Sequence, residues 1–231
     1  QNGLTQLQCH QNNMGAFGGP DIITDGLVFA VDAGAERSYP GTGTTTTSLV
    51  SSNTGTLLNG VGFSTDNGGI FTFDGVDDNI DTNFTIPAGD RSMDLWIKYD
   101  TLASSGGGGY SLTGVQQTGG KYLYTGITSN GGGYSYAGTS GGAYSYTFSA
   151  ATWYHIALVM DSGTSKNYVN GVLKAIRTYT SSVASTTEVM IGAINNQHEV
   201  DGSIPITRVY NKALTAAEVL QNYNAQKNRF I

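Results

Sequence analysis

Three tyrosine pairs at period two, Tyr122/Tyr124, Tyr134/Tyr136 and Tyr144/Tyr146, are the densest chemical signal in this sequence. Residues i and i+2 of an extended strand share a face, so each pair would present two phenols side by side. A phenol offers an aromatic plane to the C–H face of a sugar, and its oxygen donates or accepts a hydrogen bond. These six tyrosines are therefore the candidate carbohydrate-binding residues. Packing is the competing use. Tyr144 and Tyr146 share parity with Phe148, which favours an inward face for that strand. Tyr122 and Tyr124 lie opposite Leu123 and Ile127, which favours an outward one.

The histidines point elsewhere. A Ser-His-Asp set can be drawn on paper from His10, His155 or His198, yet none sits in a motif that would activate a nucleophile. His155 lies beside Trp153 in a strand pattern and reads as a structural histidine, whereas His10 and His198 fall in loops. Asp77 and Asp78 are the only acidic cluster that could hold a metal. Asp-rich turns are ordinary in β proteins because the side chain caps its own backbone, and nothing here has the fixed spacing of a calcium loop. The residues themselves assign no catalytic group, metal or other cofactor, and the chain is expected not to be an enzyme.

The elements that would position these groups are short strands. Leu27-Val28-Phe29-Ala30-Val31 is a continuous apolar run, and Ile70-Phe71-Thr72-Phe73 alternates until Asp74-Gly75, a dipeptide that favours a hairpin turn. Residues 92–99 alternate, with Met93, Leu95, Ile97 and Tyr99 on one face and Asp94, Trp96 and Lys98 on the other, so Trp96 need not lie in the core. Residues 39–59 read as loop with one or two short strands. Between residues 104 and 149 the period-two tyrosines separated by glycines predict successive strands of one sheet. Trp153 opens the strongest strand, through Met160, and is expected to be a core aromatic. Asn170-Gly171 joins two strands in a hairpin. Val189-Met190-Ile191 and residues 204–210 supply two more strands. Thr215 and Glu218 form a capping box that starts a short helix ending near Asn224.

Composition agrees with that reading. Charged residues are 12% of the 231, and glycine, serine, threonine, asparagine and tyrosine are abundant, a balance suited to strands joined by tight turns. The formal net charge of −6 opposes nucleic-acid binding, which rests on Lys and Arg displacing counterions. No apolar run reaches the roughly 18 residues of a membrane span, so no membrane insertion is expected. Cys9 is the lone cysteine and can form no intrachain disulfide. Residues 1–20 are read as an N-terminal arm, because residues 1–13 carry too little apolar surface to offset their ordering entropy. Nor do they show the basic and apolar regions of a signal peptide.

Taken in order, Phe73-Asp74-Gly75-Val76-Asp77-Asp78, Leu95-Trp96-Ile97-Lys98, Thr152-Trp153-Tyr154-His155-Ile156-Ala157, Tyr168-Val169-Asn170-Gly171-Val172, Ile191-Gly192, Asp201-Gly202-Ser203-Ile204 and Val209-Tyr210-Asn211-Lys212-Ala213-Leu214-Thr215 resemble the laminin-G-like branch of the concanavalin A-like lectin/glucanase fold. The resemblance implies an all-β fold over residues 21–231: a two-sheet antiparallel jelly-roll sandwich with one short C-terminal helix. Such domains often hold calcium at the sandwich rim, which would draw on Asp77 and Asp78. The fold also hosts laminarinase-type glucanases, whose two carboxylates stand about 5–5.5 Å apart in a Glu-x-Asp-x-x-Glu pattern. Here Glu199-Val200-Asp201 lacks the third acid.

The opening, residues 18–28, and the ending, residues 216–230, resemble structural proteins of tailed bacteriophages. They imply a non-enzymatic module of a capsid decoration or tail fibre on the virion surface. Its partners would be other virion proteins, further copies of itself as a homo-oligomer, and surface glycans. A secreted or surface bacterial lectin or adhesin is the alternative, and a divergent glycoside hydrolase a third.

Overall fold

A computed structural model describes residues 20–102, 110–117, 121–128, 130–179, 188–194 and 198–231. Of the expected arm only Pro20 is among them, and Cys9 and His10 lie outside. In chain order the strands are β1 (Leu27–Asp32), β2 (Thr45–Thr47), β3 (Thr54–Leu58), β4 (Gly62–Ser64), β5 (Ile70–Asp74), β6 (Asn79–Thr85), β7 (Arg91–Tyr99) and β8 (Tyr110–Gln117). There follow β9 (Lys121–Ile127), β10 (Gly132–Gly138), β11 (Ser140–Thr147), β12 (Trp153–Asp161), β13 (Thr164–Val169), β14 (Val172–Thr178), β15 (Glu188–Ile191) and β16 (Asp201–Tyr210). One helix, α1 (Ala216–Phe230), ends the chain.

The strands form two eight-stranded antiparallel sheets. The first runs β14-β13-β12-β7-β16-β5-β4, with β1 also paired to β16. The second runs β11-β10-β9-β8-β15-β6-β3-β2. This is the expected jelly-roll sandwich. Between the sheets lies one core in which Phe29, Phe71, Leu95, Ile97, Leu123, Ile156, Ile191 and Val209 are buried. Period-two patterning puts these residues there, because each strand alternates between this core and its outer face.

Local chemistry explains the connections. Asn170 and Gly171 both take positive φ, 52° and 76°, the backbone a two-residue hairpin demands. They join β13 to β14 as expected. Asp74-Gly75 behaves differently: β5 ends there, with Gly75 at φ 75°, but β6 pairs in the opposite sheet, so the turn is a crossover and not a hairpin. Proline cannot donate to a ladder, and Pro205 falls where the β16–β7 register shifts between Ser203 and Ile206.

Part of the outer face of the first sheet, around Trp96, is also buried, because α1 lies across it. The Thr215–Glu218 capping box is formed as expected. The helix continues six residues beyond Asn224, to Phe230, where tertiary packing outweighs the low helix propensity of its asparagines. Tyr223 and Phe230 stack on Trp96 at ring-centroid distances of 5.8 and 4.5 Å, and Trp96 is completely buried. Trp153 is only half-buried on this same outer face, 4.9 Å from the Phe230 ring. Its strand is where the pattern placed it, but the expectation of a core position between the sheets is corrected. The two ends of the described chain meet here: Ile23 N–H donates to Asn222 at 2.8 Å, and Tyr210 hydroxyl to the Ile23 carbonyl at 3.1 Å.

Candidate carbohydrate-binding face

On β9 and β10 the alternation sorts the side chains cleanly. Leu123, Ile127 and Ala137 enter the core between the sheets, so Tyr122, Tyr124, Tyr134 and Tyr136 project from the outer face. Strand register pairs Tyr124 with Tyr136, Gly126 with Tyr134 and Tyr122 with Gly138. The phenols thus form a diagonal stripe along the two strands. Ring centroids lie 5.1 Å apart for Tyr122 and Tyr136, 5.7 Å for Tyr124 and Tyr136, and 6.1 Å for Tyr124 and Tyr134. Tyr124 is buried beneath its neighbours, while Tyr122, Tyr134 and Tyr136 are half-buried.

Glycines on the flanking strands make room for the rings. A Cβ at Gly141, the register partner of Tyr136, would stand 2.2 Å from that ring. One at Gly114, the partner of Tyr124 on β8, would stand 2.5 Å from the Tyr124 Cβ. Any side chain there would push the aromatic rings off the sheet.

The third pair faces the other way. Tyr144 is buried in the core opposite Gly133, whose missing Cβ would fall 2.2 Å from its ring. Tyr146 packs at the core margin, 4.8 Å from Phe148, with the Lys174 ammonium 5.0 Å over its ring. The structure therefore brings four of the six candidate tyrosines together and sends Tyr144 and Tyr146 inward with Phe148.

Electrostatically this face is unusual for the chain. No Asp or Glu occurs between Asp100 and Asp161, and Lys121 is the only Lys or Arg in that span. Burial, reinforced by the phenols of Tyr134, Tyr136 and Tyr122, pushes the Tyr124 hydroxyl far up. Burial and Tyr136 raise Tyr134, against an opposing pull from Arg177. A neutral phenol can both donate and accept a hydrogen bond. Arg177 reaches this region from β14 of the other sheet and donates to the Ala143 carbonyl on β11. Sequence patterning had no signal for Arg177, or for the glycines that admit the rings.

The remaining candidates serve other purposes. His155 is fully buried with Nε2 3.4 Å from Asp94 Oδ2. Burial alone would raise the Asp94 carboxyl; Arg208 above all, with His155 and Asn222, reverses that and holds it below the ordinary value. This cluster lies under α1, closed to solvent. His198 is half-buried at φ 60°.

Asp77 and Asp78 are joined by Asp74, with ligand oxygens within 4.8 Å of one another. Asp74 escaped the sequence reading because the crossover turn returns the chain to it: its backbone N–H donates to Asp78 at 3.0 Å. The other Asp78 oxygen is buried without a partner among the described residues, and burial, aided by Asp74 and Asp77 against that backbone hydrogen bond, raises its carboxyl. Three carboxylates, each mono- or bidentate, could supply part of the six to eight oxygens that calcium takes, with backbone carbonyls or water supplying the rest.

Among curated proteins none matches the chain by sequence. Among solved structures, the sialidase of Trypanosoma rangeli bound to the inhibitor DANA superposes with a TM-score of 0.69 at 15% identity, covering 91% of this chain and 34% of its own. The chain thus spans about a third of that sialidase's length. Domain 4 of AbnA, a GH43 extracellular arabinanase from Geobacillus stearothermophilus, in complex with arabinotriose, superposes with a TM-score of 0.69 at 17% identity over 85% of this chain and 98% of its own. These likenesses show the fold. They also correct the expectation that the chain is not an enzyme: the architecture belongs to proteins named as glycoside hydrolases, so it is enzyme-capable, and lacking one glucanase motif is no ground for excluding catalysis. The sequence profile of Laminin_G_3, described as the concanavalin A-like lectin/glucanases superfamily, matches residues 74–220, and with the jelly-roll sandwich around it this match establishes that the chain belongs to that family.

Proposed function

We propose that this chain is a carbohydrate-binding module whose recognition surface is the outer face of β9 and β10. Tyr122, Tyr134 and Tyr136 would meet the sugar, with Tyr124 holding their rings in place from beneath. The single observation that carries this reading is the set of four phenols laid over glycine-bearing neighbour strands. Their spacing of 5.1–6.2 Å suits pyranose or furanose rings taken in succession along one strand. In support, the arabinanase domain of the same size and fold is bound to arabinotriose.

The place of work we infer is an exterior surface, on a phage particle beside other virion proteins or copies of itself, or on a secreted bacterial protein. The end motifs behind the phage reading also have a structural role, since residues 21–23 and α1 pack as one seam.

Affinity electrophoresis through gels containing plant and bacterial polysaccharides tests the binding reading. An aromatic contact contributes about 0.5–1.5 kcal/mol, so Tyr122→Ala with Tyr136→Ala should weaken binding roughly 5- to 150-fold and leave circular dichroism unchanged. Undiminished binding by that double variant contradicts the assignment of the face.

A further inference from the structure

We propose that a cavity at the edge of the sandwich far from the tyrosine stripe binds an amino sugar, with Glu36 pairing its ammonium group and Phe63 and Tyr39 facing its ring. This is a second site, and it stands or falls independently of the reading of the tyrosine face.

The cavity, about 500 Å³ in volume, opens between the segment that follows β1 and the turn that joins β4 to β5. At one end of the first sheet, β14 meets β11 through Arg177. β4 lies at the other end, so the cavity and the stripe occupy opposite edges. Its aromatic wall is a corner: the Phe63 and Tyr39 rings stand 5.3 Å apart, tilted by 56°. Tyr39 is fixed twice, its hydroxyl donating to the Gly43 carbonyl at 2.8 Å and its ring meeting Phe71 edge-on at 5.0 Å. Phe63 is only half-buried, which leaves part of its ring open to the cavity.

The facing wall is backbone. A Cβ on Gly34 would stand 2.0 Å from the Gly68 carbonyl oxygen, and one on Gly69 2.5 Å from the Gly34 Cα, so the two segments close on each other only as glycines. Asn67, Gly68 and Gly69 all take positive φ, 48°, 75° and 119°, a backbone that must be held by its surroundings. Arg229 holds it, donating to the Asn67 carbonyl at 2.5 Å and the Gly69 carbonyl at 2.7 Å while it pairs with Asp32 at 2.8 Å. A wall fixed before the ligand arrives lowers the ordering cost of binding.

Glu36 is the one charged residue that lines the cavity. It is exposed and makes no hydrogen bond or ion pair among the described residues, unlike Asp32 and Glu218, which face Arg229 and Lys212. A free carboxylate beside two aromatic rings suits an organic ammonium group, which is drawn to the ring faces and gives the carboxylate charge-assisted hydrogen bonds. The same rings offer an apolar plane to the C–H face of a sugar. An acidic sugar would be repelled by Glu36, and a neutral one would give it hydroxyl donors alone.

The test titrates the whole chain with glucosamine, N-acetylglucosamine and tetramethylammonium at about pH 6, where Glu36 is ionised and the sugar amine protonated, following backbone amides by NMR. Glucosamine should shift residues 34–41 and 63–69 and bind there about fivefold or more tighter than N-acetylglucosamine, with the preference shrinking as salt is added. Glu36→Gln should bring the two sugars to equal affinity, and Phe63→Leu should weaken both. Tyr122→Ala with Tyr136→Ala should change neither at these residues. Melting curves would verify that each variant is folded, and Glu36 is exposed enough for its replacement to be tolerated. Equal binding of the two sugars, a preference that survives Glu36→Gln, or no shifts at residues 34–41 and 63–69 overturns the proposal. Tetramethylammonium binding as tightly as glucosamine overturns the assignment of a sugar, and loss of the shifts in the double tyrosine variant overturns the independence of the site.

Discussion

Asn222 of the C-terminal helix donates to Asp94 Oδ2 at 2.6 Å, and neither residue is exposed to solvent at all. The same carboxylate receives Arg208 at 3.0 Å. A buried ion pair can contribute little net stability while being costly to break, since removing one partner strands the other's charge out of water. Asp94→Asn should therefore destabilise the fold by about 3–5 kcal/mol, read from urea unfolding at pH 7. A change below 1 kcal/mol would mean that Arg208 finds another partner.

The acid limb of stability follows from the same site. Because the folded Asp94 pKa lies below its unfolded value, its contribution is complete above the unfolded value of about 3.9 and is lost as pH falls through the folded one. Unfolding free energy of the native chain should fall steeply below about pH 4, and that of Asp94→Asn less so. Parallel acid limbs in the two proteins would remove Asp94 from the account.

Trp96 and Trp153 share one face of the first sheet but differ in burial. Trp96→Ala, emptying a site sealed by Tyr223, Phe230 and His155, should cost about 3–5 kcal/mol. Trp153→Ala should cost roughly half of that, because the ring, packed against Phe230 and under Lys98, is already partly hydrated. Denaturant midpoints decide it, and the reverse order would place the helix wrongly.

Gly141→Ala separates binding from folding. The new methyl must displace the Tyr136 ring it would otherwise touch at 2.2 Å. Gly141 itself is exposed, so stability should change by less than about 1 kcal/mol. Glycan affinity should nonetheless fall severalfold by calorimetry, and an unaltered affinity would show that the ring's position is unimportant.

Much of this architecture is legible in residue order, for reasons of periodicity. Leu123 and Ile127 alternate with Tyr122 and Tyr124, and Phe148 shares the parity of Tyr144, so the opposite facing of those strands can be read directly. The Asn170-Gly171 hairpin and the Thr215 cap are local and equally readable. Asp74-Gly75 misleads because a turn dipeptide fixes backbone angles but not which sheet receives the next strand. The end of α1 is hidden because it depends on Trp96, more than a hundred residues away. Arg177 beside β11 is invisible for the same reason: a contact between edge strands of two sheets leaves no periodic trace.

The central claim is that sugar is met by the outer face of β9 and β10. The most direct test is backbone amide hydrogen exchange of the whole chain with and without a polysaccharide oligomer found to bind, followed residue by residue. The account predicts that added protection falls on residues 121–127 and 132–138 and their neighbours on β11, while residues 74–78 exchange as before. Protection concentrated at Asp74, Asp77 and Asp78, with β9 and β10 unchanged, would contradict it.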